Sequence, residues 1–330
     1  MLSSDSRMRA LFALLAAAVL AIGVAACGDD DDSGDDSGDS GGGSGSLIEK
    51  DDANSGVSLT IGSKNFTEQI VLGEIYAQGL EAAGYNVKTD LSLGSEQVAL
   101  DALKAGEISG YPEYTGTALT SFFGAAPEDV PGDAQEAADQ AAAEFEKEGL
   151  VSFAPAPFSS ANAVGLTKAK ADELGVTTVS DLEGKSQDLT LFGSPECRQR
   201  VDCLVGLQDG YGLQFKQFTP VDIEQRYPVL DDGQADLSIL FTTDAQLAAQ
   251  SDQYVILEDD QGIFPSSNPV FVTDQKTVDE AGEDLQSTIE TVQDGLTVEV
   301  MQELDARVDI DREEASAVAT QYLQEEGYVE

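Results

Sequence analysis

Histidine is absent from all 330 residues. That removes Ser-His-Asp and Cys-His nucleophile systems and every histidine-ligated metal site. Cationic side chains are scarce too: 17 Lys and Arg stand against 62 Asp and Glu, for a net charge of −45. So acidic a surface excludes nucleic acid as a partner and favours solubility. With carboxylates this abundant, pairing any two as catalytic acid and base carries no weight, and no motif offers an activated nucleophile. An enzyme reading therefore has little to support it, and neither a cofactor nor a metal is expected. Cysteine is limited to three residues, Cys27, Cys197 and Cys203. The apolar run from Ala10 to Ala26 is short for a membrane span.

What is present begins with that run. Arg7 and Arg9 precede it, which is the arrangement of a secretory signal. It ends in Val24-Ala25-Ala26-Cys27-Gly28, which resembles the bacterial lipobox, where the cysteine is acylated and becomes residue one. Residues 1–27 are therefore expected to form a lipoprotein signal and anchor, holding the protein on the outer face of the cell membrane. Residues 28–56, rich in Asp, Ser and Gly, cannot bury a core and read as a disordered tether with a reach of roughly 30 Å. Cys197 and Cys203 remain as an even pair in an exported chain, which reads as a disulfide. It closes a short loop and is worth roughly 2 kcal/mol on the chain-entropy account.

From about Val57 the pattern is of alternating strands and helices. Ser58-Leu-Thr-Ile-Gly alternates as a strand, and Asn65-Phe-Thr-Glu-Gln opens a helix carrying Ile70, Val71, Ile75 and Leu80 inward. A strand from Tyr85 to Leu91 follows, then a short helix marked by Val98, Leu100 and Leu103 and closed by Gly106. In the stretch 109–124, Pro112 denies the backbone a donor, Gly116 frees it to turn, and Ala118, Leu119, Phe122 and Phe123 resume helical spacing. A strand end followed by a helix start is where open α/β sheets bind ligands. Further strands are expected at Val151-Ser-Phe-Ala, Ala163 to Thr167, Leu189 to Gly193, Ala235 to Phe241 and Tyr254 to Leu257, with helices over most of 277–328. Repeated βα units imply parallel sheets covered by helices. Two Pro-rich crossings, at Pro155 and Pro157 and at Pro265 and Pro269, suggest a discontinuous first domain hinged to an inserted second.

Three motifs carry a family resemblance: Gly62-Ser-Lys-Asn-Phe-Thr-Glu-Gln, Tyr111-Pro-Glu-Tyr-Thr-Gly-Thr, and Phe192-Gly-Ser-Pro-Glu with Arg200 and Gly206-Leu207. Together they resemble the substrate-binding proteins of ABC transporters that import glycine betaine, choline and related osmoprotectants. The resemblance implies an α/β, two-lobed periplasmic-binding-protein fold of type II kind, each lobe a mostly parallel sheet flanked by helices, with two hinge crossovers. Residues 57–157 and 265–330 would form lobe 1 and residues 158–264 lobe 2. It implies a small-molecule solute held between the lobes, delivery to ABC permease subunits, and an extracytoplasmic location. The alternative is a tethered solute sensor, or an importer component for a more polar, non-quaternary ligand.

In that family a quaternary ammonium sits in a box of tyrosines while its carboxylate meets Lys, Arg and Thr. Carried across, Lys64 and Arg200 become carboxylate contacts, Tyr114 a box tyrosine, and Thr117 the hydroxyl that follows it. Arg200 matches the arginine of Arg-x-Asp-Gly, here Arg200-Val201-Asp202-Cys203, and its fork suits a carboxylate. Elsewhere the tyrosines are replaced: Phe241 stands for one, and polar residues near Asn162 and Ser267 for two others. Losing two rings at about 0.5–2 kcal/mol each weakens trimethylammonium binding unless other residues compensate.

Overall fold

The computed structural model describes residues 46–330. The expected signal, the lipobox with Cys27 and the acidic tether through Gly45 lie outside the described residues. Among the described residues ten strands are formed: β1 (Ser58–Gly62), β2 (Asn86–Asp90), β3 (Gly110–Tyr114), β4 (Leu150–Ser152), β5 (Asn162–Thr167), β6 (Thr190–Gly193), β7 (Gln217–Pro220), β8 (Leu237–Phe241), β9 (Tyr254–Ile256) and β10 (Pro269–Asp274). They make two five-stranded sheets, β2-β1-β3-β10-β4 and β7-β6-β8-β5-β9.

Both sheets are mixed. β1 pairs in parallel with β2 and β3, and β6 with β7 and β8. β10 runs antiparallel to β3 and β4, and β5 antiparallel to β8 and β9. One strand in each sheet thus opposes the other four, and it is the strand by which the chain arrives from the other sheet. Such a strand needs no crossover helix to bring it round, so nothing forces it parallel. β7 and β10 are absent from the strands expected from sequence, although Val270-Phe-Val-Thr in β10 is a run of strand-forming residues. Gln217-Phe-Thr-Pro is a polar edge strand that ends in the residue edges tolerate, and β10 opens on Pro269.

Pro112 lies inside β3, opposite Phe271. Pairing of β3 with β1 is confined to Ile61 and Gly110, so the donor Pro112 lacks faces the side where the ladder has already ended. Beyond β3 a helical turn, Thr115–Thr117, widens into a π-helical turn, Ala118–Phe122.

Helix α1 (Thr67–Ala82) buries Val71, Leu72, Ile75 and Leu80 completely. It packs against the C-terminal helices Glu283–Gln293, Val298–Asp309 and Ala315–Glu325, and this cluster fills one face of the first sheet. Leu100, Leu103, Ile108, Leu119 and Phe145 fill the other face. Two faces of the second sheet are covered in the same way. Two expected core residues point elsewhere: Val98 is exposed, and Ile70 is only half-buried. The folded body also begins before Val57. Ile48 donates its amide to the Tyr328 carbonyl at 2.9 Å and Asp51 to that of Ala83 at 3.1 Å. The buried Asn54 side chain donates to the same Ala83 carbonyl at 2.9 Å. Composition gave no sign of this docking, because its bonds are made by the backbone and one amide.

Candidate functional site

The segments joining the sheets, between β4 and β5 and between β9 and β10, run side by side. Ser160 donates its amide to the Ser267 carbonyl at 2.9 Å, and the Ser267 amide returns to Ser159 Oγ at 2.8 Å. Gly116 donates to Ser267 Oγ at 3.0 Å. A Cβ at Gly116 would stand 2.8 Å from that oxygen, so the close approach requires glycine.

Between the sheets lies a chamber of about 80 Å³. Lys64, Tyr114, Thr117, Asn162, Arg200, Phe241 and Ser267 all line it. These side chains come from six separate stretches of chain, and the fold brings them to one place. Cys197 and Cys203 are disulfide-bonded, and the short loop between them carries Arg200 to the chamber wall.

The charged members are already partnered. Lys64 is buried and ion-paired with the fully buried Glu113. Its ammonium also lies 4.4 Å from the centre of the Tyr114 ring. It is neither a solvated surface charge nor a free cation waiting for a carboxylate. Arg200 grips Asp202 through Nε at 2.8 Å and Nη2 at 2.5 Å. It then reaches across the chamber to Thr117 Oγ1 and Glu96 Oε1, both at 3.3 Å. Burial works against the Arg200 charge, but Asp202 and Glu96 more than offset it and the guanidinium is held protonated. The long bonds to Thr117 and Glu96 are the ones an incoming anion could replace at least cost.

The polar stand-ins for tyrosine do structural work. Asn162 Nδ2 donates to the Asp202 carbonyl at 3.1 Å and so braces the arginine loop. Ser267 Oγ accepts from Gly116. Aromatic surface comes instead from a residue sequence reasoning passed over. Phe66 lies between Tyr114 and Phe241, with ring centres 6.3 Å and 5.1 Å away. It sits inside the Ser-Lys-Asn-Phe-Thr motif, yet a lone aromatic just before a helix looks like core. Arg226, also not singled out from sequence, covers the far side of Phe241 with Cζ 4.0 Å from the ring centre and donates to Asp244 at 2.9 Å. Tyr114 donates its hydroxyl to Glu68; burial, and then the Glu68 charge, push that hydroxyl well above the ordinary phenol range.

Two sheets bridged by paired crossing segments, with an aromatic and cationic chamber between them, define a solute-binding protein of the periplasmic-binding fold. The substrate binding domain of ABC-type glycine betaine transport systems matches residues 57–325, and the chain belongs to that family. It is 32% identical over 282 residues to the glycine-betaine-binding protein of Pseudomonas aeruginosa, covering 81% of this chain and 88% of that protein. It is 26% identical over 271 residues to an ergothioneine transport permease/ergothioneine binding protein of Helicobacter pylori, covering 82% of this chain and 48% of that one. Among solved structures, that of a glycine betaine/carnitine/choline ABC transporter protein superposes with a TM-score of 0.65 at 25% identity, covering 82% of this chain and 99% of the other. The chain is a substrate-binding protein of this family and not an enzyme.

Proposed function

We propose that this is the extracytoplasmic, lipid-anchored binding component of an ABC importer, and that it takes a small betaine-like zwitterion into the chamber between its sheets. The observation that carries the reading is the wall formed by Tyr114, Phe66 and Phe241, with Arg200 on a braced loop opposite. Ring faces attract a methylated ammonium by about 0.5–2 kcal/mol each. A carboxylate that replaces Glu96 on Arg200 gains a charge-assisted bond from a donor already oriented. In this reading residues 57–157 with 265–330, and residues 158–264, are lobes that close over the solute. Cys27 carries the anchor, and the acidic tether lets the loaded protein reach its permease.

Calorimetry with glycine betaine, carnitine and choline tests it. Zwitterions should bind more tightly than choline, which has an ammonium but nothing for Arg200. Replacement of Arg200 by Ala should cost the zwitterions about 2–3 kcal/mol. Choline binding above every zwitterion, or an indifferent Arg200→Ala protein, overturns the reading.

A further inference from the structure

Behind the aromatic wall lies a second, larger chamber of about 520 Å³. Phe66, Ile223, Arg226 and Phe241 face both chambers, while Glu68, Asp305, Asp309 and Asp244 border the second alone. We propose that this second chamber is a separate solute subsite for a small zwitterion whose ammonium still carries N–H groups, held by Asp305 and Glu68 at its cationic end and by Arg226 at its carboxylate.

The proposal rests on polar atoms that are buried and idle. Glu68, Asp305 and Arg226 are only 3%, 4% and 7% exposed. Yet Glu68 Oε2, Asp305 Oδ1 and Arg226 Nη1 have no hydrogen-bond partner among the described residues. Groups like these normally find partners, because one left unmade bears the full desolvation penalty of the group. Glu68, Asp305 and Arg226 all line one chamber, and the two idle acceptors and one idle donor they hold just beneath its surface are the complement of a molecule with N–H donors at one end and a carboxylate at the other. Ser160 and Thr243 hydroxyls lie near Glu68, but they are bonded to each other at 2.7 Å, which leaves one proton between them for its carboxyl. Nothing comparable reaches Asp305 Oδ1.

Charge agrees with shape. Five carboxyls, the four above and Glu224, face two arginines, Arg226 and Arg312, around this chamber, so it favours a cation. Burial, and then the charge of Glu68, push the Asp305 carboxyl well above its ordinary value; an ammonium beside it would remove that penalty. Among the described residues no cluster of three or more carboxylates is arranged to hold a metal ion. A quaternary ammonium has no N–H and would leave the acceptors idle. That separates this subsite from the first chamber, whose reading it does not depend on.

The N-methylated glycines provide the test, since glycine betaine and sarcosine share a carboxylate and differ in N–H groups. On the purified full-length chain, sarcosine should bind while glycine betaine saturates the first chamber. Asp305→Asn should weaken sarcosine by about tenfold or more, the loss of one charge-assisted hydrogen bond. Asp305 does not border the first chamber, so glycine betaine should bind this variant within about twofold of the parent, as is usual for separate sites, and its thermal stabilisation shows that the variant is folded. Absence of sarcosine binding, full competition between the two solutes, or unchanged sarcosine affinity in Asp305→Asn each overturns the proposal. Sarcosine binding that needs Asp305 in a chain indifferent to glycine betaine would keep this subsite and discard the reading of the first chamber.

Discussion

Replacing Glu96 by Gln should tighten the binding of a carboxylate-bearing solute. In the structure Glu96 Oε1 occupies Arg200 Nη1 at 3.3 Å across the chamber. Both side chains are mostly buried, 15% and 16% exposed. An anion that takes its place must first break this pair. A charge-assisted hydrogen bond of ordinary geometry contributes about 1.5–3 kcal/mol, and at this stretched distance the lower end applies. Glutamine keeps the shape and a neutral acceptor, so about 1 kcal/mol of the competition should disappear. That is roughly a fivefold gain in affinity for glycine betaine. Choline has no carboxylate and cannot compete for Arg200, so it should gain nothing, and the lost negative charge should weaken it. Titration calorimetry on parent and variant, with both solutes, reads the two effects directly. If glycine betaine binds the variant no better than the parent, Glu96 is not the group displaced, and the carboxylate does not go to Arg200.

Three further expectations concern neighbouring features. Phe241→Ala removes the ring that packs on Phe66 and beneath Arg226; glycine betaine affinity by calorimetry should fall by about 1–2 kcal/mol, whereas Phe241→Tyr should retain it. Cys197→Ser with Cys203→Ser opens the disulfide loop; denaturant unfolding should show a loss of about 2 kcal/mol, and unchanged stability would show that the loop is held by its other contacts. Asp305 has its carboxyl raised by burial and by Glu68, so its contribution to stability is fully present below the unfolded value and lost as pH rises through the folded one. Asp305→Asn should therefore melt above the parent at neutral pH without solute. The gap should close toward pH of about 4; one that stays constant with pH would refute the assignment.

Much of the architecture was legible in sequence because it rests on local patterns. Val71, Ile75 and Leu80 sit at helical spacing and are completely buried, and Gly106 ends its helix in the left-handed conformation with φ of 72°. What escaped was set by distant pairing. β10 takes its place because the chain returns from the second sheet between β3 and β4, and no composition signal marks that. In the first chamber the motif residues Lys64, Tyr114, Thr117 and Arg200 were legible as a group, but their partners were not. Nothing near Lys64 in sequence indicates that Glu113, 49 positions away, takes up its charge. Arg226 reads as one more polar residue in Ile223-Glu-Gln-Arg-Tyr until β8 brings Phe241 beneath it.

The second chamber did leave a trace. Asp305 follows Met301 by four residues and directly succeeds Leu304, both buried. It therefore occupies the apolar stripe of the helix Val298–Asp309 rather than its solvent face. Glu68 stands three, four and seven residues before Val71, Leu72 and Ile75, the buried stripe of α1. With 62 acidic residues in the chain, being acidic says nothing about any one of them. Position relative to a buried stripe does, because an unneeded carboxylate there is costly and easily replaced by an apolar residue. The two helices line the same chamber from different ends of the chain, each with a buried acid on its inner face. A charge that breaks an otherwise apolar stripe is then the local signal of a polar site, and two such breaks on packed helices locate it.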